Sequence, residues 1–127
     1  MFKRIDHVEI IPADYERTKT FYTEILGFTM KEEVPINEGL LDTISYLTLG
    51  DTMIELIKVV EPIRPHYPPM PVGYRAIALE VEDMDRAVEY LNGKGVEITW
   101  GPLAVGRAKR AEIRDPDELV IELRQWM

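Results

Sequence analysis

Cysteine is absent from the 127 residues. That excludes disulfides, thiolate zinc sites and a cysteine nucleophile. Histidine is nearly as scarce, with His7 and His66 the only two, so any metal must rest on carboxylates with at most two imidazoles. Basic residues are outnumbered, 15 Lys+Arg against 23 Asp+Glu, and the net charge of −8 repels phosphate backbones and anionic lipid surfaces at long range. Nucleic acid and membranes are therefore not expected partners. No window approaches the roughly 18 apolar residues of a membrane span. The chain opens Met-Phe-Lys-Arg-Ile-Asp-His, without an apolar leader, so the expectation is a cytoplasmic protein.

What is present is the composition of a folded domain, 46% apolar and 30% charged. The length suits one domain, or two small halves sharing a core. Ile5 to Ile11 alternates and is closed by Pro12, which reads as a strand. Asp14 is a helix N-cap candidate. Thr18, Phe21, Tyr22, Ile25 and Leu26 then line one helical face, and Gly27 supplies the stop. Strands follow at 28–34, 43–49 and 52–60, the last two joined by the Gly50-Asp51 hairpin signal.

The stretch 61–72 carries Pro62, Pro65, Pro68, Pro69 and Pro71, too many fixed φ angles and missing donors for a regular element, and reads as a stiff connector. The same order then returns. A strand at 74–81 precedes an Asp83 N-cap and a helix with Met84, Ala87, Val88 and Leu91 inward, ending near Gly93 and Gly95. Strands at 96–100, 107–114 and 119–125 complete it, with Asp115-Pro116-Asp117-Glu118 as a type I turn. The chain therefore reads as βαβββ written twice: module one about 1–61, connector 62–72, module two about 73–127. Letters repeat as well as periods, since Met-Ile-Glu-Leu at 53–56 returns as Val-Ile-Glu-Leu at 120–123.

Strand alternation puts His7 on the face of Glu9, with Val8 and Ile10 behind to pack on the helix. Glu55 and Glu122 likewise oppose apolar faces, in equivalent places of the two halves, and Arg110 and Glu112 share one face of their strand. These ionisable groups are either solvated strand faces or the lining of a shared site, because buried charges need ion pairs, water or a cation.

The residues that decide between these readings are Ile5-Asp6-His7-Val8, Phe21 to Phe28, Ile54-Glu55-Leu56, Ile77 to Val81, and Arg114-Asp115-Pro116-Asp117 followed by Ile121-Glu122-Leu123. Over nearly the whole chain they resemble the vicinal oxygen chelate superfamily, which includes glyoxalase I (lactoylglutathione lyase), methylmalonyl-CoA epimerase, extradiol dioxygenases and bleomycin-resistance proteins. The resemblance implies an α+β fold, two βαβββ modules whose curled mixed sheet surrounds a cup. It implies metal ligands from the first and fourth strands of each module, which fall here on His7, Glu55, Ala76 and Glu122. Ala76 stands where a histidine is usual, so the expected set for a divalent ion (Zn, Ni, Co, Mn or Fe) is His7, Glu55 and Glu122.

Three protein ligands still leave open positions for substrate. Glu9 or Glu112 can supplement them, and His66 reads either as a solvated loop residue or as a further donor. Glu9, Arg110, Glu112 and Arg124 make the cup polar, suited to a small anionic substrate with an arginine as its clamp. The implied chemistry is that of a glyoxalase- or epimerase-like lyase or isomerase, with Glu122 or Glu55 as the base that removes a proton beside a carbonyl. The alternatives are a bleomycin-resistance-type binder without turnover and, further off, an extradiol dioxygenase, which prefers two histidines and one carboxylate. A homodimer is implied.

Overall fold

A computed structural model describes residues 1–66 and 69–127. The part of the connector reading that falls on Tyr67 and Pro68 lies outside the described residues. The chain divides into two compact units, Met1–Pro65 and His66–Met127, with the division inside the proline-rich stretch. The architecture is α+β, each unit contributing one open, mixed four-stranded sheet.

The first unit runs β1 (Val8–Ile10), α1 (Tyr15–Thr20), a π-helical turn (Phe21–Ile25), β2 (Thr29–Glu38), β3 (Leu41–Leu49) and β4 (Thr52–Val59). Its sheet order is β1-β4-β3-β2, with β1 parallel to β4 and the remaining pairs antiparallel. Asp14 caps α1 as expected, its carboxylate accepting from the Arg17 amide at 3.1 Å. The expected helical face is buried at Thr18, Phe21 and Tyr22, with Tyr15 buried beside it, and half-buried at Ile25 and Leu26, but the last turn widens to π geometry. There the Thr23 hydroxyl bonds back to the Lys19 carbonyl at 2.8 Å, a local competitor for the backbone ladder.

Leu47, Leu56 and Tyr22 are fully enclosed beneath this helix-and-sheet layer, and Tyr22 meets Phe21 and Phe28 edge to face. Two expectations need correction. β1 starts at Val8 rather than Ile5, because its ladder on β4 covers only Val8 to Ile10 and Ile5 is exposed. Val8, expected to pack inward with the buried Ile10, is exposed as well.

The second unit runs β5 (Ala76–Glu80), α2 (Met84–Gly93), β6 (Trp100–Val105), β7 (Ala108–Arg114) and β8 (Val120–Trp126). The order β5-β8-β7-β6 repeats the first sheet, again with one parallel pair, β5 on β8. Asp83 caps α2 through the Arg86 amide at 3.1 Å, and Met84 and Leu91 are its buried residues. The Asp115 turn forms, with the Glu118 amide on the Asp115 carbonyl and the Asp115 carboxylate accepting from Asp117 and Leu119 amides at 2.8 and 3.0 Å.

The strand expected at 96–100 is instead β6, Trp100–Val105. The Val96 amide closes the helix end on the Leu91 carbonyl. The Gly101-Pro102 pair sits at a register irregularity of an edge strand, where a missing donor is tolerated. Pro35 sits at a comparable irregularity in β2, an edge strand of the first sheet, which runs on to Glu38.

Candidate functional site

The ladder registers turn the sequence repeat into side-chain rows. In the first sheet Glu9 pairs with Glu55, and Glu55 with Tyr46; in the second Ala78 pairs with Glu122, and Glu122 with Glu112. Glu55 and Glu122 therefore occupy equivalent places, as the repeated Ile-Glu-Leu triplets indicate. Both are buried, at 6% and 8% exposure, and so is Glu112 at 7%. Solvated strand faces do not describe these three carboxylates, and each must find a partner.

In the first unit the partner of Glu55 is His7. The residue sits one position before β1, on the side of Glu9, and its Nε2 lies in direct contact with a Glu55 carboxylate oxygen and 3.9 Å from Glu9. On the other side of the ring, Nδ1 is 2.8 Å from the Asp6 carboxylate. The Asp6 hydrogen bond, reinforced by the charges of Glu55, Asp6 and Glu9, holds the imidazole pKa above its ordinary value despite partial burial. Asp6, bonded to the ring, is held below the usual carboxylate range.

A neutral imidazole has one N–H for two carboxylates, so this ring is either doubly protonated or shares Nε2 and Glu55 with a cation. One ligand atom from each of His7, Glu9 and Glu55 lies within 4.8 Å of the others, a group that can hold a metal ion among the described residues. One imidazole nitrogen and two carboxylates suit Zn, Mn, Fe, Co or Ni. Asp6 on the far nitrogen is the orienting carboxylate that metal-bound histidines ordinarily have. The donor set fits a divalent ion.

In the second unit the same row is resolved by guanidinium groups. Arg110 Nη2 donates to Glu122 at 2.9 Å and Arg124 Nε donates to its other oxygen at 2.7 Å. Burial, the largest single influence, pushes the Glu122 pKa up, but the two arginines together outweigh it and the group is held below its ordinary value. Arg75 donates to Glu112 at 2.5 Å. Each clamping guanidinium also covers an indole, Arg110 at 5.7 Å from the Trp100 ring centre and Arg124 at 4.8 Å from that of Trp126. Met70, Arg75, Trp100, Arg110 and Glu112 border an open hollow of about 430 Å³.

The structure thus brings His7, Glu9 and Glu55 together in one unit, and in the other joins Arg110, Glu122 and Arg124, with Glu112 in the neighbouring ladder position paired to Arg75. His66 is exposed. Two features escape a reading of the sequence. Arg75 precedes β5 and shows no alternation partner, and the indoles of Trp100 and Trp126 become arginine platforms only through the sheet register.

A third feature is a partly buried polar cluster on the opposite face of the first sheet. Tyr15 bonds both Ser45 and Glu33, and Lys19 donates to Glu33 at 2.9 Å. Burial raises the Tyr15 pKa, whereas hydrogen bonds from Lys19 and Tyr15 lower that of Glu33. Among the described residues, no helix is long and apolar enough to cross a membrane.

Relatives support the architecture. A solved glyoxalase family protein from Enterococcus faecalis superposes with a TM-score of 0.81 at 36% identity, over 97% of this chain and 98% of that one. Uncharacterized protein YaeR of Escherichia coli (strain K12) is 36% identical over 125 residues, 95% of each chain. Human mitochondrial methylmalonyl-CoA epimerase is 28% identical over 130 residues, 96% of this chain and 73% of its own. A family model spans residues 4–123, and on that match the chain belongs to the Glyoxalase/Bleomycin resistance protein/Dioxygenase superfamily.

Proposed function

We propose that the protein is a metal-dependent lyase or isomerase of the glyoxalase or epimerase type, moving a proton at the carbon beside a carbonyl of a small chelating substrate. The observation that carries this reading is the convergence of His7, Glu9 and Glu55 on one point. His7 Nε2 and the Glu55 carboxylate would hold a divalent ion, Glu9 would supplement them, and Asp6 would fix the ring. Such an ion would supply Lewis-acid stabilisation to negative charge developing on adjacent substrate oxygens.

Glu122 belongs to the proposed ligand set through the resemblance. Glu55 and Glu122 are the candidate bases. The arginines on Glu122 keep its carboxylate ionised, the form that accepts a proton, while weakening its hold on that proton. Arg110 and Arg124 would receive an anionic group of the substrate, with Glu112 holding Arg75 alongside. The working form proposed is a homodimer, to be checked by light scattering.

The experiment is solvent exchange. Protein loaded with Co, Ni, Mn or Zn is incubated with small α-hydroxycarbonyl compounds in D₂O, and deuterium at the carbon beside the carbonyl is followed by NMR. Metal-dependent incorporation that falls by at least about 100-fold in His7→Ala supports the reading. Absence of exchange with every metal favours the second reading, a binder without turnover. Ala76 and Ala78 favour it too, since β5 brings neither imidazole nor carboxylate to the row of Glu122, where β1 brings Glu9 to that of Glu55.

A further inference from the structure

We propose that the hollow in the second unit binds an organic monocarboxylate with a flat apolar body, its carboxylate on Arg110 and its body against Trp100 and Met70. The inference deepens the proposed function and rests on its assignment of Arg110 to the substrate.

Charge comes first. Arg75 pairs with Glu112 one to one, whereas Arg110 and Arg124 both meet Glu122, two guanidiniums against one carboxylate, which leaves that cluster with an excess of one positive charge. In a chain of net charge −8 that local excess has a specific complement, a single anion. Two arginines would also over-serve one carboxylate if Glu122 were their only purpose.

The second observation is an unfilled donor. Arg110 Nη2 bonds Glu122, yet its Nε is buried without a hydrogen-bond partner among the described residues. Nε and the adjacent Nη form the side-on edge of the guanidinium fork, the edge that receives a carboxylate through two parallel bonds. Half of that edge is used and half is not. A small turn of the guanidinium, whose side chain is about a quarter exposed at 26%, presents the empty half to a ligand in the hollow.

The third observation is shape. The space of about 430 Å³ lies at the lower end of small-molecule sites. Its border offers indole and thioether surface beside the guanidiniums, and Trp100 remains 39% exposed although Arg110 covers one part of it. Inorganic phosphate would use the charge and leave that apolar surface wet. A carboxylic acid with an aromatic or unsaturated body uses both.

The test is calorimetric titration of the full chain with sodium benzoate, with benzyl alcohol and inorganic phosphate as parallel probes. Benzoate is expected to bind one per chain, each of the others at least about tenfold more weakly, and added salt to weaken it. Arg110→Met should lower benzoate affinity at least about tenfold, Arg110→Lys should restore only part of it, and Trp100→Leu should cost several-fold without touching the charge. Trp100→Leu keeps the test decisive should Arg110→Met fold poorly.

No binding of benzoate, equal binding of benzyl alcohol, tighter binding of phosphate, or unchanged affinity in the Arg110→Met and Trp100→Leu proteins would each overturn the assignment. A cobalt titration of the same sample separates the two readings. Cobalt binding without benzoate binding removes this inference alone, and benzoate binding without cobalt binding removes the metal chemistry and leaves this site in place.

Discussion

The two units share a backbone and differ in what stands on it. Both sheets have the same strand order and the same parallel pair, and the central row carries a buried glutamate in each, Glu55 and Glu122. In the first unit that glutamate has an imidazole and a second carboxylate beside it, and the next row along the same strands is Ile44 with Ile57. In the second unit alanines stand at 76 and 78, and the next row is Arg110 with Arg124. One scaffold therefore presents a cation-seeking cluster and the other a surplus of cations. The contrast shows where the fold's chemistry resides: in the row occupants, which can change while the ladder and core stay fixed.

The opposite face follows the same rule. Where the first unit buries Tyr15 against Ser45, the second has Met84 and Ala111, all fully or almost fully enclosed.

The comparison can be broken most severely at equivalent core positions of the two units. Leu56 and Leu123 hold equivalent places and are essentially inaccessible. Leu56→Ala and Leu123→Ala should each cost about 2–5 kcal/mol in urea unfolding. If one cost a large amount and the other under about 1 kcal/mol, the two cores would not be equivalent supports.

Next in size is Gly101, where φ is +74° and an added Cβ would stand 2.5 Å from the Arg110 carbonyl oxygen. Gly39 also has a positive φ, +60°, with nothing within 4 Å. Gly39→Ala should show the conformational strain alone, on the order of 1 kcal/mol. Gly101→Ala should exceed it and disturb the Arg110–Glu122 bond, measured by melting and by benzoate affinity.

Tyr15→Phe should follow, at about 1–3 kcal/mol, because it strips partners from Ser45 and Glu33 while Met84, at the equivalent place, needs none. The double change Tyr15→Met with Ser45→Ala, which copies the second unit, should recover part of that loss, in chemical denaturation. A double variant no better than Tyr15→Phe would mean that the polar cluster contributes more than satisfaction of its own groups.

The smallest effect is a pH dependence. Glu33 has a folded pKa below its unfolded value, so its stabilising contribution is present above the unfolded pKa and is lost as pH falls through the folded one. The stability difference between the parent protein and Glu33→Gln should therefore shrink on acidification below the ordinary carboxylate range. The same sign holds for Glu122 and Glu122→Gln, through Arg110 and Arg124 rather than Lys19. A gap that widened in acid would contradict both assignments.

Much of this was legible in the residues. Asp14 and Asp83 announce their helices because a side-chain acceptor before an apolar period has few other uses, and the Ile-Glu-Leu triplets reveal the repeat because both fill the same ladder positions. The unread parts have physical causes. Trp100 to Val105 was hidden by Gly101-Pro102, which ends central strands but not edges. The shortness of β1 was hidden because Ile5 and Val8 are apolar yet exposed. For the site, alternation put His7 on the face of Glu9 and set Glu55 opposite an apolar face, and the resemblance joined His7 to Glu55, while the Arg75–Glu112 pair and the indole platforms depend on cross-strand neighbours that no local pattern encodes.

The central claim is that the first unit's imidazole and carboxylates form a cation site. Calorimetric titration of the metal-free protein with Co²⁺ tests it most directly, using parent, His7→Ala, Glu55→Gln and Arg110→Met proteins. About one ion per chain is expected in the parent and in Arg110→Met, and loss of at least about tenfold in affinity in the other two. Unchanged cobalt binding by His7→Ala and Glu55→Gln, or none by the parent, would contradict it.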